Sequence, residues 1–319
     1  MGLLMASSSS WSKPLSNFFA DKPNSKFAGV QVGVITYSYR SMPSSIEQLL
    51  QYVLDSGVNA IELIGDAAED YAGKPVNSFK MPQGAPGQRP QLTDDQKAQI
   101  AAYQKSVADW RANVSMDKFE EIKKMYNKAG VTIYAFKPNA LGENNTDAEI
   151  EYALKAGKAL GANSVTVELP SKPEQSLRLG KLAEKHGIYI GYHAHTQATD
   201  SAWDVALGQS SRNTMNLDCG HYIAAGGNNT KETLLALIQT KHERITTMHI
   251  KDRKTKANGG ANMPWGQGDT PIKEILNLLK DKKYKIPATI ELEYDIPAGS
   301  DAVKETKICV EYAKNALGA

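Results

Sequence analysis

The chain has 319 residues, of which 41% are hydrophobic and 23% charged, with a formal net charge of +2. That length holds either two ordinary domains or one large α/β barrel, and buries a large core. The near-neutral balance offers no sign excess to a polyanion, so a nucleic-acid partner is not expected, and no apolar run approaches the ~20 residues that cross a bilayer, so no membrane partner is expected either.

The N-terminal stretch "MGLLMASSSSWSKP" joins a short apolar piece to small residues and serines, like the back half of a secretory signal. It reads either as a trimmed export signal, placing the native protein in the periplasm, or as a disordered tail or expression scar, leaving it cytoplasmic. Either way residues 1 to about 27 stay outside the fold, which runs from 28 to 319. The two cysteines, Cys219 and Cys309, lie far apart inside apolar segments and suit buried thiols better than a disulfide framework.

One unit then recurs: a helical pattern, a glycine, and a β-branched run that ends in polar residues. "SSIEQLLQYVLDSGVNAIELIGD" shows it whole, with Ser44 and Glu47 as a capping box, Leu49, Leu50, Val53 and Leu54 as the apolar stripe, Gly57 as the stop, and a strand over Ala60–Ile64. The unit returns around Gly130, around Gly161 with Thr146 and Glu149 as its capping box, and around Gly187. Adding "VQVGVITYS", "TMNLDCG", "RITTMHIKD" and "PATIELEYD" makes eight candidate strands. Eight βα units predict a single-domain (β/α)8 TIM barrel, and the nearly continuous Val, Ile and Thr runs fit strands covered on both faces. The competing fold, an open doubly wound sheet, lacks the G-x-G-x-x-G that dinucleotide chemistry would place after the first strand.

One interval breaks the rhythm. Residues 66–115, after the second strand, hold a Pro/Gly-rich loop and a polar helix, "TDDQKAQIAAYQKSVADWRANV". An insertion there lies on the ligand-binding face of a barrel, as a lid, a rim or a solvated decoration.

In a barrel, catalytic groups collect at the carboxyl ends of the strands. In chain order those ends carry Tyr37 and Tyr39; Glu62 and Asp66; Lys137; Glu168; His193 and His195; Asp218 and His221; His249, Lys251 and Asp252; and Glu291 and Glu293. Four of the six histidines fall there, while His186 and His242 sit near helix ends. Glu168, Asp218, His249 and Glu291 together would give one divalent metal three oxygen ligands and one nitrogen, with positions left for two substrate oxygens; manganese, cobalt, magnesium and zinc all suit that set. Residues two apart share a strand face, so His193 and His195 point one way, as do Glu291 and Glu293. The histidines are read as substrate contacts or proton carriers, and Glu293 as a rim carboxylate.

These residues resemble a family. The region from about 29 to 315 resembles the xylose isomerase-like barrels of the sugar phosphate isomerase/epimerase group, through "VELP", "LDCGH", "MHIKD" and "YKIPATIEL". The resemblance implies that Glu168, Asp218, His249 and Glu291 hold the metal and that Glu168 and Glu291 also move protons. The spacing from Tyr284 favours Glu291 over Glu293 as the eighth-strand ligand. The resemblance further implies that Glu174 and His221 hold substrate hydroxyls.

"GYHAHTQ" looks more like a subgroup with paired fifth-strand histidines, often exported and sometimes acting on 3-keto-glycosides. In "KDRKTKANGGANMPWGQGDTP", Trp265 and the glycines would form a pocket wall beside Lys251, Asp252, Lys137 and Tyr37 as substrate contacts. The expected function is a divalent-metal-dependent sugar isomerase or epimerase working through an enediolate, with catalytic Glu168, Glu291, His193 and His195. The alternatives are a lyase or hydratase on 3-keto-glycosides, a DNA-repair endonuclease of the same barrel group, which would need more metal-binding residues and a basic surface, and a non-catalytic sugar-binding module. The expected partner is a small-molecule sugar, and a homo-oligomer is left open.

Overall fold

In the run Ala60–Ile64, Ile61 and Leu63 are fully buried against the outer helices, while Glu62 between them is equally buried on the other side. Repeated around a closed sheet, that alternation separates an apolar layer under the helices from an interior that can be polar. The computed structural model describes residues 22–79 and 91–319. Its strands are β1 (Val30–Ile35), β2 (Ala60–Ile64), β3 (Thr132–Lys137), β4 (Ser164–Glu168), β5 (Tyr189–His193), β6 (Asn213–Asp218), β7 (Ile245–Ile250) and β8 (Ala288–Ile290). Each pairs in parallel with the next, and β8 pairs with β1. The sheet therefore closes into the expected (β/α)8 barrel, and because each of the eight strands has a parallel neighbour on both sides, the open doubly wound alternative falls.

The helices are α1 (Ile46–Asp55), α2 (Gly65–Tyr71), α3 (Asp94–Asn113), α4 (Asp117–Lys128), α5 (Asp147–Leu160), α6 (Pro173–His186), α7 (Asp204–Gln209), α8 (Cys219–Ala225), α9 (Lys231–Lys241), α10 (Ile272–Lys282) and α11 (Ala302–Leu317). Among the described residues none is long and apolar enough to cross a membrane. The capping box of α5 is Thr146 with Glu149, and the helix ends at Gly161 with φ +85°, as expected. For α1 the expectation misses by one residue: the cap is Ser45, which accepts from the Gln48 N–H, while Glu47 instead accepts from the Ser45 hydroxyl at 3.0 Å. With the helix starting at Ile46, Ile46, Leu49, Leu50 and Val53 form the buried stripe, and Leu54 is only partly covered.

The stretch read as an export signal or tail lies outside the described residues up to position 21. Residues 25–27, placed with the tail by the sequence reading, belong to the fold. Lys26–Phe27 pairs antiparallel with β1, and buried Ser25 donates to the Val32 carbonyl at 2.6 Å. Residues 80–90 of the expected Pro/Gly loop also lie outside the described residues.

Inside the barrel, Tyr134, Thr247 and Thr289 form a hydrogen-bonded layer, with Tyr134 to Thr289 at 2.7 Å and Thr247 to Thr289 at 3.0 Å. Gly33 on β1 leaves the room this needs, because a Cβ there would stand 2.5 Å from the Tyr134 oxygen. Glu62 sits one layer nearer the mouth, where Thr166 donates to it at 2.6 Å.

Insertion helix α3 has no apolar stripe; only Val107 and Arg111 are fully buried. It is anchored through Arg111, which donates to Glu69 of α2 at 2.9 and 3.2 Å and to Glu149 of α5 at 3.3 Å. Trp110 packs edge-on against Tyr152, 5.6 Å between ring centres. Removing the shared cation would strand two buried carboxylates, so Arg111→Ala should cost about 3–5 kcal/mol in urea denaturation; an unchanged midpoint would show that the insertion adds nothing to stability. Burial pushes the Glu149 carboxyl up, but the Thr146 N–H, the Asn145 amide and Arg111 together hold it below its ordinary 4.5. A depressed carboxylate stabilises the fold above its unfolded pKa, and that contribution fades as pH falls through the folded value. Stability should therefore decline as pH drops below about 4.5, and less steeply in Glu149→Gln, as followed by thermal melts across pH.

Candidate metal centre and active-site cavity

Parallel register lines up the polar strand ends: Glu168 on β4 stands beside His193 on β5, and Asp218 on β6 beside His249 on β7. His193, Asp218, His249 and Glu291, all buried, place one potential ligand atom each within 4.8 Å of one another. His195 and His221 close in from the rim, with ring centres 4.9 Å from His193 to His195 and 4.7 Å from His195 to His221. His193 and His195 meet, and Glu291 and Glu293 both reach Lys251, at 2.7 and 2.8 Å.

His249 is the centre of this group. Its Nε2 lies 2.8 Å from Glu62 of β2, and its Nδ1 lies 2.8 Å from Oε2 of Glu291. Nδ1 and that oxygen are both buried and neither makes a well-formed hydrogen bond; the short approaches of His249 and Lys251 to Oε2 lack the geometry. An imidazole whose far nitrogen is held by a carboxylate, and whose near nitrogen faces a second carboxylate oxygen, can receive a divalent cation. Asp218 completes it with one oxygen only. As N-cap of α8, its Oδ1 accepts from the His221 N–H at 2.7 Å, while Oδ2 faces His193 at 3.2 Å and Lys251 at 3.0 Å.

The charges are strongly coupled. Burial pushes His249 down, but Glu291 and Glu62 outweigh it and push the imidazole up to about 10. Burial raises Glu291 and Asp218, yet neighbouring His249 and Lys251 hold Glu291, and Lys251 and His221 hold Asp218, below the ordinary carboxylate range. His221 is driven down to about 3 by burial, aided by Lys251 and His193 against the pull of Asp218.

The expected residues divide by location. Glu168 is not among the four clustered groups; its half-exposed carboxylate accepts from Lys137 at 2.9 Å and meets His193 Nδ1 at 2.9 Å, so His193 stands between it and Asp218. With Tyr37, Lys137, His193, His195, Glu291 and Glu293 it lines a cavity of about 330 Å3 at the barrel mouth. Five expected substrate contacts lie outside that lining, among them Lys251, which is buried between Asp218, Glu291 and Glu293. Exposed Glu174 opens α6 outside the cavity lining, because the helix starts beyond the rim. Trp265 is buried edge-on against Tyr312, with ring centres 5.7 Å apart. Asp252 accepts the N–H groups of Gly266 and Gly268, each at 2.8 Å, and of Thr270, so it holds the loop rather than a substrate. His221 stands between Lys251 Nζ at 3.1 Å and Arg253 at 2.5 Å, with little freedom to take a hydroxyl.

The sequence places Glu62 among the strand-end residues without indicating a role for it. Its signal was an acid inside the apolar run "AIELI", which demands a buried partner. Arg253 gave none.

The xylose isomerase-like TIM barrel profile matches residues 50–311, and the chain belongs to that family. No curated protein matches it in sequence. Among solved structures it is similar to a sugar phosphate isomerase/epimerase from Parabacteroides distasonis, at 17% identity and TM-score 0.56 over 91% of this chain and 96% of that one. It is also similar to a 3-keto-D-glucoside 4-epimerase from E. coli, at 12% identity and TM-score 0.57 over 90% and 99%. A xylose isomerase-like TIM barrel protein from Mycobacterium smegmatis in complex with magnesium shares 13% identity and a TM-score of 0.52 over 91% and 98%. Likeness at these identities shows the fold.

Removing the Glu62 charge should loosen His249. Glu62→Gln is expected to weaken Mn2+ binding about 10–100-fold by calorimetry; unchanged affinity would remove Glu62 from the site.

Proposed function

We propose that the chain is a divalent-metal-dependent isomerase or epimerase of keto-sugars that works by proton transfer beside a carbonyl. The observation that carries this reading is the convergence of Asp218, His249 and Glu291 beneath a cavity that Glu168 and Glu291 enter from β4 and β8, strands diametrically opposed in the closed barrel. Likeness to a sugar phosphate isomerase/epimerase and to a 3-keto-D-glucoside 4-epimerase supports a sugar as the substrate.

Asp218, His249 through Nδ1, and Glu291 would hold the cation, with His193 or Glu168 as the fourth group. A divalent cation there supplies Lewis acidity, lowering the barrier to removing the proton between a carbonyl and a hydroxyl. Manganese, cobalt, magnesium and zinc remain the candidates.

Two carboxylates on opposite walls suit removal of a proton from one face and return to the other, or to the adjacent carbon, through an enediolate. Burial raises Glu168, but His193 and Lys137 hold it well below the ordinary carboxylate range, so it waits ionised. It becomes a stronger base once substrate draws Lys137 away. His195, more than half exposed and 3.5 Å from Glu168 Oε2, is held below its ordinary value mainly by burial and is neutral near pH 7. It can pass a proton between Glu168 and a substrate hydroxyl.

The paired histidines also favour a second reading, a lyase on 3-keto-glycosides. The same enediolate would expel an oxygen substituent that His195 protonates.

Metal-loaded protein incubated with keto-sugars in deuterated water should incorporate deuterium next to the carbonyl, read by NMR, and absence of exchange with every sugar tested would contradict the scheme. Released aglycone selects the lyase. Glu168→Gln should lower exchange about 10²–10⁴-fold while Mn2+ still binds, whereas Asp218→Asn should lose Mn2+ binding; the reverse pattern would exchange their roles.

A further inference from the structure

A second cavity, about 550 Å3, opens where insertion helix α3 lies over α2 and the loop before α5. Asp66 and Asn139 line both it and the active-site cavity, and Asn139 donates to Asp66 at 3.2 Å, so the two spaces meet at that pair. Resting on the reading above, we propose that this annex is a subsite for the distal, uncharged part of the substrate, which is therefore a neutral glycoside of two or more residues rather than a sugar phosphate.

Size and chemistry both lead there. Each cavity falls within the ~300–1,000 Å3 of small-molecule sites, so the reacting ring does not exhaust the space. The annex wall is rich in side-chain amides, which donate and accept as sugar hydroxyls require. Gln104 of α3 and Asn144 hold no side-chain hydrogen bond among the described residues, and Tyr103 adds a ring face.

Charge excludes the phosphate. A phosphate needs a cation free to bind it, but in the annex Lys74 sits among Asp66, Glu69 and Asp70, Lys105 is with Asp109, and Arg111 is with Glu69 and Glu149. Arg111 also fixes α3 as the outer wall, which gives the insertion a function besides cover.

Calorimetry on the metal-loaded full chain tests this with glucose, galactose and fructose, the disaccharides maltose, cellobiose and lactose, and fructose 6-phosphate. At least one disaccharide should bind about tenfold or more tighter than its component hexoses, as two or three added hydrogen bonds allow, with no gain from the phosphate. Ala108→Trp, filling the annex from α3, should remove that gain. If this variant fails to fold, the double variant Gln104→Ala/Asn144→Ala on the annex wall should reduce it. Equal binding of hexoses and disaccharides, preference for the phosphate, or a gain that survives filling would overturn the inference. Hexose binding with α-proton exchange but no gain from a second ring overturns the annex alone; no sugar binding at all overturns the annex and the proposed function together.

Discussion

The active end of this barrel depends on one buried line of charge, Glu62–His249–Glu291. A histidine inside a protein can turn over, titrate or collapse onto a neighbour, and a carboxylate at Nε2 fixes which nitrogen faces the cavity. Here that carboxylate comes from β2 and the opposing one from β8, so barrel closure and the competence of His249 are the same constraint. Fully buried charges persist only when paired. The interior answers with Thr166 and Asn216 around Glu62, and with Lys251 among Asp218, Glu291 and Glu293.

Asp218 shows how local structure serves the site. Capping α8 with one oxygen fixes the carboxylate's rotamer and leaves the other oxygen aimed at the cluster. Cys219, next along, is buried and goes into packing. The sharp strand-to-helix passage at "LDCGH" also needs its glycine, since a Cβ at Gly220 would collide with Lys251. The same short segment thus positions the second Asp218 oxygen, the Lys251 side chain packed on Gly220, and His221.

Much of this was legible in the sequence, for physical reasons. Glycine stops and β-branched runs mark βα units strongly, and polar residues at the ends of buried strands have few other places to go. What escaped depended on contacts between distant elements. Sequence spacing cannot tell that Glu168 reaches the cluster through His193, since both sit at adjacent strand ends and only side-chain reach separates them. Nor can it show that Asp252 turns its oxygens to the N–H groups of Gly266 and Gly268, or that Trp265 packs inward on Tyr312. The sequence reads Ser44 as the α1 cap where the cap is Ser45, because two adjacent serines fit the motif nearly as well. Arg111, which ties the insertion to the barrel, lay in a helix with no apolar stripe to announce a buried face.

The central claim is that His249 presents Nδ1 to a cation shared with Asp218 and Glu291. The most direct measurement is a crystal structure grown with Mn2+ and phased on its anomalous signal. One ion is expected at about 2.0–2.3 Å from His249 Nδ1 and from oxygens of Asp218 and Glu291, with Glu62 still on Nε2. An ion bound elsewhere, or none at saturating Mn2+ with Lys251 still seated among the three carboxylates, would contradict it.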